Sequence, residues 1–321
     1  EKRQNLKKFG LFLYIEKTIE IESPMGAAPN SSAELHVGNA GTAARFVTAL
    51  AALRKGGSYK FDCDDAMCSR PMAGLVEALK SQGAKFEFLG EENALPFVIH
   101  TCGLKGGRVE IDAKASSQML SALLMVGAFA DSPMEVSLKG STVSKPFVDM
   151  TVGIMAQFGV ETVFEGGVYK FLRPRRACGE RAYKIEPDAT AASYFAVLPA
   201  VVGGACEISG FAECKLQGDS AFCRLLSDAG LVKTETVGGN LIVEDSEQTV
   251  FPESMEFDFN DISDTFLTLA AVSPLLPFKL TIKGIAHTRA QETDRVAACA
   301  NELRKFCESV VETDDSISVT P

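Results

Sequence analysis

The sequence predicts an α/β (α+β) fold of two domains, built from repeated βαβαββ units. Three observations predict it. Four segments open with small or polar residues and run on as apolar helices, near Gly41, Ser116, Thr190 and Ser263. A second helix follows each, starting near Pro71, Pro146, Asp219 and Thr293, at separations of 75, 73 and 74 residues. Each second helix leads into two short strand-like runs. A period near 74 in a chain of 321 residues marks a repeat, in which each unit buries its apolar face against its neighbours.

The elements follow in order. Gly41-Thr42-Ala43-Ala44-Arg45-Phe46 opens an apolar helix that runs to Leu53 and stops at Gly56-Gly57. A strand at 58–62 joins it to the second helix, where Pro71 suits the first helical position and Gly83 the stop. Met72, Leu75, Val76 and Leu79 make an i, i+3, i+4, i+7 stripe. Strands at 85–89 and 97–100 close the unit, and one at 108–112 links to the next. Unit two opens at Ser116-Ser117-Gln118-Met119-Leu120, with strands at 135–138, 161–164 and 169–172 around a helix near Pro146. Unit three opens at Thr190-Ala191-Ala192-Ser193-Tyr194-Phe195 and stops at Gly203-Gly204. Its second helix carries Phe222, Leu225, Leu226 and Ala229, then Gly230. Unit four opens at Ser263-Asp264-Thr265-Phe266, and its second helix ends without a glycine. The polar run at 173–181 falls between units two and three and divides the chain into domains 1–184 and 185–321. Its arginines, Arg173, Arg175, Arg176 and Arg181, read as a solvated connector or as part of a cationic cleft at a hinge.

Composition narrows the function. With 46% hydrophobic and 23% charged residues the chain is neither disordered nor fibrous. Asp plus Glu outnumber Lys plus Arg by 42 to 32, a net charge of -10, which argues against a uniformly basic nucleic-acid binder. An anionic substrate then needs a pocket that concentrates the few cations. Nine cysteines without a CxxC, and three histidines, argue against structural zinc and for buried free thiols in a reducing compartment. The uncharged stretch 189–206 is broken by Pro199, Gly203 and Gly204 and does not read as a membrane span. Glu1-Lys2-Arg3 does not read as a signal peptide. The expectation is a cytoplasmic protein, with a plastid location left open, and a monomer with small-molecule partners.

Helix N-termini offer unpaired N–H groups and the positive end of the dipole, and so attract anions. Arg70 and Arg295 stand at two of them, and an arginine grips phosphate or carboxylate with paired hydrogen bonds. Asp264 and Glu292 also stand at helix openings, where they read as caps or as proton acceptors beside an anion site.

These motifs resemble the 5-enolpyruvylshikimate-3-phosphate (EPSP) synthase family. The residues that carry the resemblance are Gly38-Asn39-Ala40-Gly41-Thr42-Ala43-Ala44-Arg45, Arg70-Pro71, Ser116-Ser117-Gln118 and Val143-Ser144-Lys145-Pro146-Phe147. Asp188 with Ala192-Ser193-Tyr194-Phe195 and Glu292-Thr293-Asp294-Arg295 complete the set, in the family's order. The resemblance implies a two-domain enolpyruvyl transferase-like fold. It implies transfer of the enolpyruvyl group of phosphoenolpyruvate to the 5-hydroxyl of shikimate 3-phosphate, releasing phosphate, a step of chorismate and aromatic amino-acid biosynthesis. No metal or organic cofactor is implied. By similarity, Ser116, Ser117, Gln118 and Ser144 hold shikimate 3-phosphate. Gly41, Arg70, Gln118 and Arg295 hold phosphoenolpyruvate, and Asn39, Thr42 and Gln291 belong to the same substrate site. Asp264 accepts the hydroxyl proton, and Glu292 handles proton transfer at the methylene carbon. Gly41 matches the small residue that leaves room for glyphosate.

The sequence also departs from the family's pattern. Gln291 stands where the family has lysine, Phe147 where a tyrosine is common and His287 where an asparagine is common, so one positive charge is lost. Phe46 replaces a common proline. The family's early Lys-Ser pair and late His-Arg motif do not appear, and residues 5–21 resemble the tail of an earlier unit. With a 74-residue period the chain counts as somewhat over four of the family's six units. The expectation is a chain truncated at both ends, and its alternative function is a non-catalytic anion-binding fragment. A less favoured alternative is transfer to UDP-N-acetylglucosamine. That sister family has a loop cysteine five residues before its Arg-Pro, where this chain has Asp65.

Overall fold

The structure is a computed structural model that describes residues 28, 30–140, 142, 144–172 and 182–321. The earlier-unit tail at 5–21, Val143 of the Lys-Pro motif and the arginine-rich connector at 173–181 lie outside the described residues.

Unit one comprises β1 (Ser32–His36), α1 (Gly41–Ala52), β2 (Lys55–Asp62), α2 (Asp65–Cys68), α3 (Ala73–Ser81), β3 (Lys85–Phe88) and β4 (Phe97–Cys102). Unit two is β5 (Gly107–Ile111), α4 (Ser117–Gly127), β6 (Met134–Leu138), α5 (Lys145–Gln157), β7 (Thr162–Glu165) and β8 (Val168–Phe171). Unit three has α6 (Ala189–Ala196), α7 (Leu198–Val202), β9 (Ala205–Ile208), α8 (Ala221–Asp228), β10 (Val232–Val237) and β11 (Asn240–Asp245). Unit four has β12 (Ser254–Asp258), α9 (Phe266–Val272), β13 (Lys279–Lys283), α10 (Arg295–Leu303), β14 (Ser309–Glu312) and β15 (Ser316–Thr320).

The sheets repeat as the helices do. Units one, two and four form four-stranded sheets ordered β1-β2-β4-β3, β5-β6-β8-β7 and β12-β13-β15-β14. In each the first pair is parallel and the rest antiparallel. The parallel pair is forced by the helix crossing between its strands; the antiparallel pair needs only a short turn. In unit three the order β10-β11-β9 reproduces the last three positions.

Two buried clusters hold the chain together, one from Ala44 to Tyr169 and one from Ala189 to Val319. All four residues of the Met72, Leu75, Val76, Leu79 stripe are buried; each contributes about 1.5–3 kcal/mol relative to exposure. Helix α4 is apolar nearly all round and lies between α1 and α5. Its opening residues, Ser116, Ser117 and Gln118, line a cavity.

Several expectations need correction. Gly56-Gly57 lies inside β2 rather than stopping α1. Gly56 has φ +75° and sits in a bulge opposite β4, where a left-handed backbone suits glycine. Pro71 is not the first residue of α3. Arg45 takes the Pro71 carbonyl, and the helical ladder starts from the Met72 carbonyl. The single-turn helix α2 was not anticipated. Nor are the thiols uniformly buried: Cys223 is, Cys102 is exposed, and Cys63, Cys68, Cys206, Cys214, Cys299 and Cys307 are half-buried. Among the described residues no helix is long and apolar enough to cross a membrane.

Candidate active site

The central helix α4 begins at a built opening. Ser116 Oγ accepts from the Gln118 amide at 3.3 Å, and Gln118 Oε1 accepts from Arg45 Nη1 at 2.6 Å. Arg45 is buried; its Nε and Nη2 donate to the Pro71 carbonyl at 3.2 and 2.7 Å. Burial, then the charge of Arg70, push its pKa down to about 10, with Glu292 opposing, and it stays cationic at neutral pH. Sequence reading placed Arg45 in a motif without giving it a role. Its signal was its position one turn after Gly41 on the same face of α1.

Gly41 stands against both arginines. A Cβ there would lie 2.6 Å from Arg45 Nη1 and 2.8 Å from Arg70 Nη2. Arg70 is buried, and its Nη1 donates to the Asn39 carbonyl at 3.0 Å. Its Nη2 lies 3.3 Å from Glu292 Oε1. From there the charges alternate: Arg295 Nη2 donates to Glu292 Oε2 at 2.6 Å, and Arg295 Nη1 to Asp264 Oδ1 at 3.0 Å. The row Arg70, Glu292, Arg295, Asp264 thus runs from unit one into unit four.

Neither carboxylate caps a helix. Asp264 lies in the 3-10 turn Ser263–Thr265 ahead of α9, and α10 is capped by Asp294, whose Oδ1 accepts from the Ala297 amide at 2.9 Å. Glu292 is two residues too early. For Glu292, burial disfavours the charged form, but its own backbone N–H, Arg295 and Arg70 outweigh it and hold the carboxyl below the usual range.

A cavity of about 430 Å³ opens beside this row. Of the residues selected from sequence, Thr42, Arg70, Ser116, Ser117, Gln118, Ser144, Asp264 and Gln291 line it. Asn39, Gly41, Glu292 and Arg295 do not, but each except Gly41 touches or belongs to the row of charges, and Gly41 leaves room for the guanidinium groups of Arg45 and Arg70. Ser144 precedes α5 at φ 48°, a left-handed backbone unusual for serine, without a side-chain cap. Asn39 Oδ1, Arg70 Nε and Gln291 Oε1 are buried without a protein partner. Buried polar atoms are costly when unpaired, so these mark where a polar ligand would bind.

Other lining residues were not selected from sequence. Phe46, Met125, Met150 and Ile154 form an apolar wall with Phe147. Their spacing signals only a helix face, which does not distinguish core from cavity. His287 reaches Ser263 Oγ with Nε2 at 2.9 Å; burial pushes its pKa down, with Asp264 and Asp315 opposing.

Comparison with known proteins adds the following. The family model described as EPSP synthase (3-phosphoshikimate 1-carboxyvinyltransferase) matches residues 4–321. A protein of Opitutus terrae named 3-phosphoshikimate 1-carboxyvinyltransferase is 42% identical over 98% of this chain and 71% of its own length. One of Trichormus variabilis with the same name is 35% identical over 94% of this chain and 70% of its own. In fold, the chain resembles the crystal structure of EPSP synthase from Acinetobacter baumannii, with a TM-score of 0.65 at 22% identity, over 93% of this chain and 66% of that one.

Proposed function

The chain belongs to the EPSP synthase family, and from that premise we propose that its cavity transfers the enolpyruvyl group of phosphoenolpyruvate to the 5-hydroxyl of 3-phosphoshikimate, as in aromatic amino-acid biosynthesis. The observation that carries the reading is the alternating row Arg70, Glu292, Arg295, Asp264 against a cavity floored by Ser116, Ser117, Gln118 and Ser144.

Both substrates are anions, and the net charge is -10, so binding depends on these few cations. Arg70 and Arg295 receive phosphoenolpyruvate, with Gln118 beside it and Gly41 leaving the space. The serines and the Gln118 amide side chain receive 3-phosphoshikimate, with Asn39, Thr42 and Gln291 completing the wall. The 5-hydroxyl oxygen attacks C2 of phosphoenolpyruvate, Asp264 takes the hydroxyl proton, and Glu292 delivers a proton to C3. Glu292 then recovers a proton from C3 as the bond from C2 to the phosphate oxygen breaks and phosphate leaves. Glu292 needs a higher pKa to act as an acid. An anion that engages Arg70 and Arg295 withdraws the charges that hold its carboxyl low, so substrate binding supplies the change.

The division into domains 1–184 and 185–321 belongs to the same proposal, supported by the two separate buried clusters. So do small anionic partners rather than nucleic acid, a monomer and a cytoplasmic location.

Phosphate release from the two substrates tests the activity, measured on this chain and on a version extended at both ends to the relatives' length. The extended version is expected to turn over. Arg70→Ala is expected to lose phosphoenolpyruvate affinity, and Asp264→Ala to lose turnover while still binding. Unchanged kinetics in both variants sink the assignment.

A further inference from the structure

The loop that delivers Arg70 to the cavity carries two thiols that the reaction does not use. Cys63 follows β2 and Cys68 closes α2, and their Sγ atoms lie 3.0 Å apart. Both are half-buried and so reachable from solvent. The main chain between Cys68 and the site is short and taut: the Arg70 amide donates to the Met67 carbonyl at 3.1 Å, and Met67 is buried in the core. The Arg70 guanidinium is set between the Asn39 carbonyl at 3.0 Å and Glu292 at 3.3 Å.

We propose that Cys63 and Cys68 are a reversible thiol–disulfide site, oxidised by a low-molecular-weight disulfide, whose closure displaces the turn that carries Arg70 and weakens the anion site. A disulfide needs the sulfurs at about 2.05 Å, so they close by about 1 Å. Because Cys68 ends a turn pinned by Met67, part of that movement passes to Arg70, two residues on. A full 1 Å misplacement in a site costs up to about 100-fold in rate, so the partial shift of Arg70 is expected to weaken anion binding several-fold.

The Cys68 thiolate attacks one sulfur of oxidised glutathione, forms a mixed disulfide and releases one glutathione thiolate. Cys63 loses its proton to solvent and attacks the Cys68 sulfur, which releases the second glutathione. Two protein thiols are oxidised by two electrons and one small disulfide is reduced. Burial, the hydrogen bond with Cys68, and the charges of Cys68, Asp62 and Asp64 push the Cys63 thiol up to about 12. A thiol raised this far holds little thiolate at neutral pH, so closure quickens in alkali. Asp65 opens α2 beside the pair, and His36 on β1 lies 3.6 Å from Asp62 and 3.4 Å from Asp64.

The coupling to Arg70 rests on the anion-site reading above; the disulfide itself does not. The test incubates the protein with oxidised glutathione in mildly alkaline buffer, alkylates the remaining thiols and maps peptides by mass spectrometry. A Cys63–Cys68 crosslink that dithiothreitol reverses, and that Cys63→Ser and Cys68→Ser both abolish, is expected. Calorimetry with inorganic phosphate is expected to show several-fold weaker binding to the oxidised protein, with Cys63→Ser unresponsive. Free thiols, or only mixed disulfides with glutathione, overturn the proposal, as does a crosslink that leaves phosphate affinity unchanged. If the reduced protein binds no phosphate, the anion-site reading fails instead. Amide hydrogen exchange then decides the switch: altered exchange at 64–71 on oxidation supports it and unaltered exchange overturns it.

Discussion

The two halves of the molecule share one architecture and differ at their helix openings. In residues 28–172, α1, α3 and α5 begin without any side-chain cap, behind Ala40, Met72 and Ser144, and α4 is capped by the neutral hydroxyl of Ser116. In residues 182–321, α6 and α10 are capped by their own carboxylates, Asp188 and Asp294, which accept from Ala191 and Ala297, while α7, α8 and α9 have no side-chain cap. An uncapped N-terminus keeps free N–H groups and the positive end of its dipole for a ligand, whereas an aspartate cap consumes both. Among the described helices, carboxylate caps occur only in the second half, which also contributes Asp264, Glu292 and Arg295 to the charge row, while the first half contributes Arg70 and the neutral opening of α4. One repeated unit serves two purposes because the backbone recurs while the residue at the helix opening does not.

The largest expected effect is at Asp264, where Asp264→Asn should lower turnover about 10²–10⁴-fold while leaving the affinity for 3-phosphoshikimate intact. If binding falls as far as turnover, Asp264 serves binding rather than proton transfer. Next is Arg45→Met, which strands Gln118 Oε1 and the Pro71 carbonyl. Denaturant unfolding should show roughly 2–4 kcal/mol lost, in contrast to no loss for Asp264→Asn.

Asp219 sharpens the contrast through pH. It is buried, accepts a hydrogen bond from Thr190 Oγ1, and has an unpartnered Oδ1. Burial, with Asp264 and Asp188 nearby, pushes its pKa up from 3.8 to about 6, against the Thr190 hydrogen bond. A raised carboxyl pKa means the folded state favours the proton. The contribution is fully present below the unfolded value and is lost as pH rises from about 4 to about 6. Asp219→Asn should therefore flatten stability across that window and raise it at pH 7 by ~2 kcal/mol, read by denaturant titrations at both ends. A variant less stable than wild type at pH 7 refutes this. The smallest effect belongs to Gly41→Ala. Its Cβ has to push aside two guanidinium groups, so phosphoenolpyruvate affinity should fall about tenfold, ~1.4 kcal/mol, with stability nearly unchanged.

Much of the fold was legible because its signals are local. The stripe of Met72, Leu75, Val76 and Leu79 marks a helix face, and the recurrence of such helices marks the unit. Strand positions came within a few residues for the same reason. The misses share a cause as well. Pro71 looked like a helix start until its carbonyl was claimed by Arg45, which lies 26 residues earlier. Gly56-Gly57 looked like a stop until β4 supplied the partner that turns it into a bulge. Glu292 looked like a cap because its distant partner, Arg70, leaves no trace in its neighbours.

By itself, then, the sequence determined the period, the unit and the family, because helix periodicity and motif order are properties of adjacent residues. It also named most of the groups that stand around the cavity. Only the tertiary structure decided that Arg45 is buried on Gln118, that Arg70 meets Glu292 across the two halves, and that Cys63 and Cys68 lie within 3.0 Å. Those outcomes depend on how packed units orient their helix ends toward one another, a choice made by burial of the cores rather than by any local run of residues.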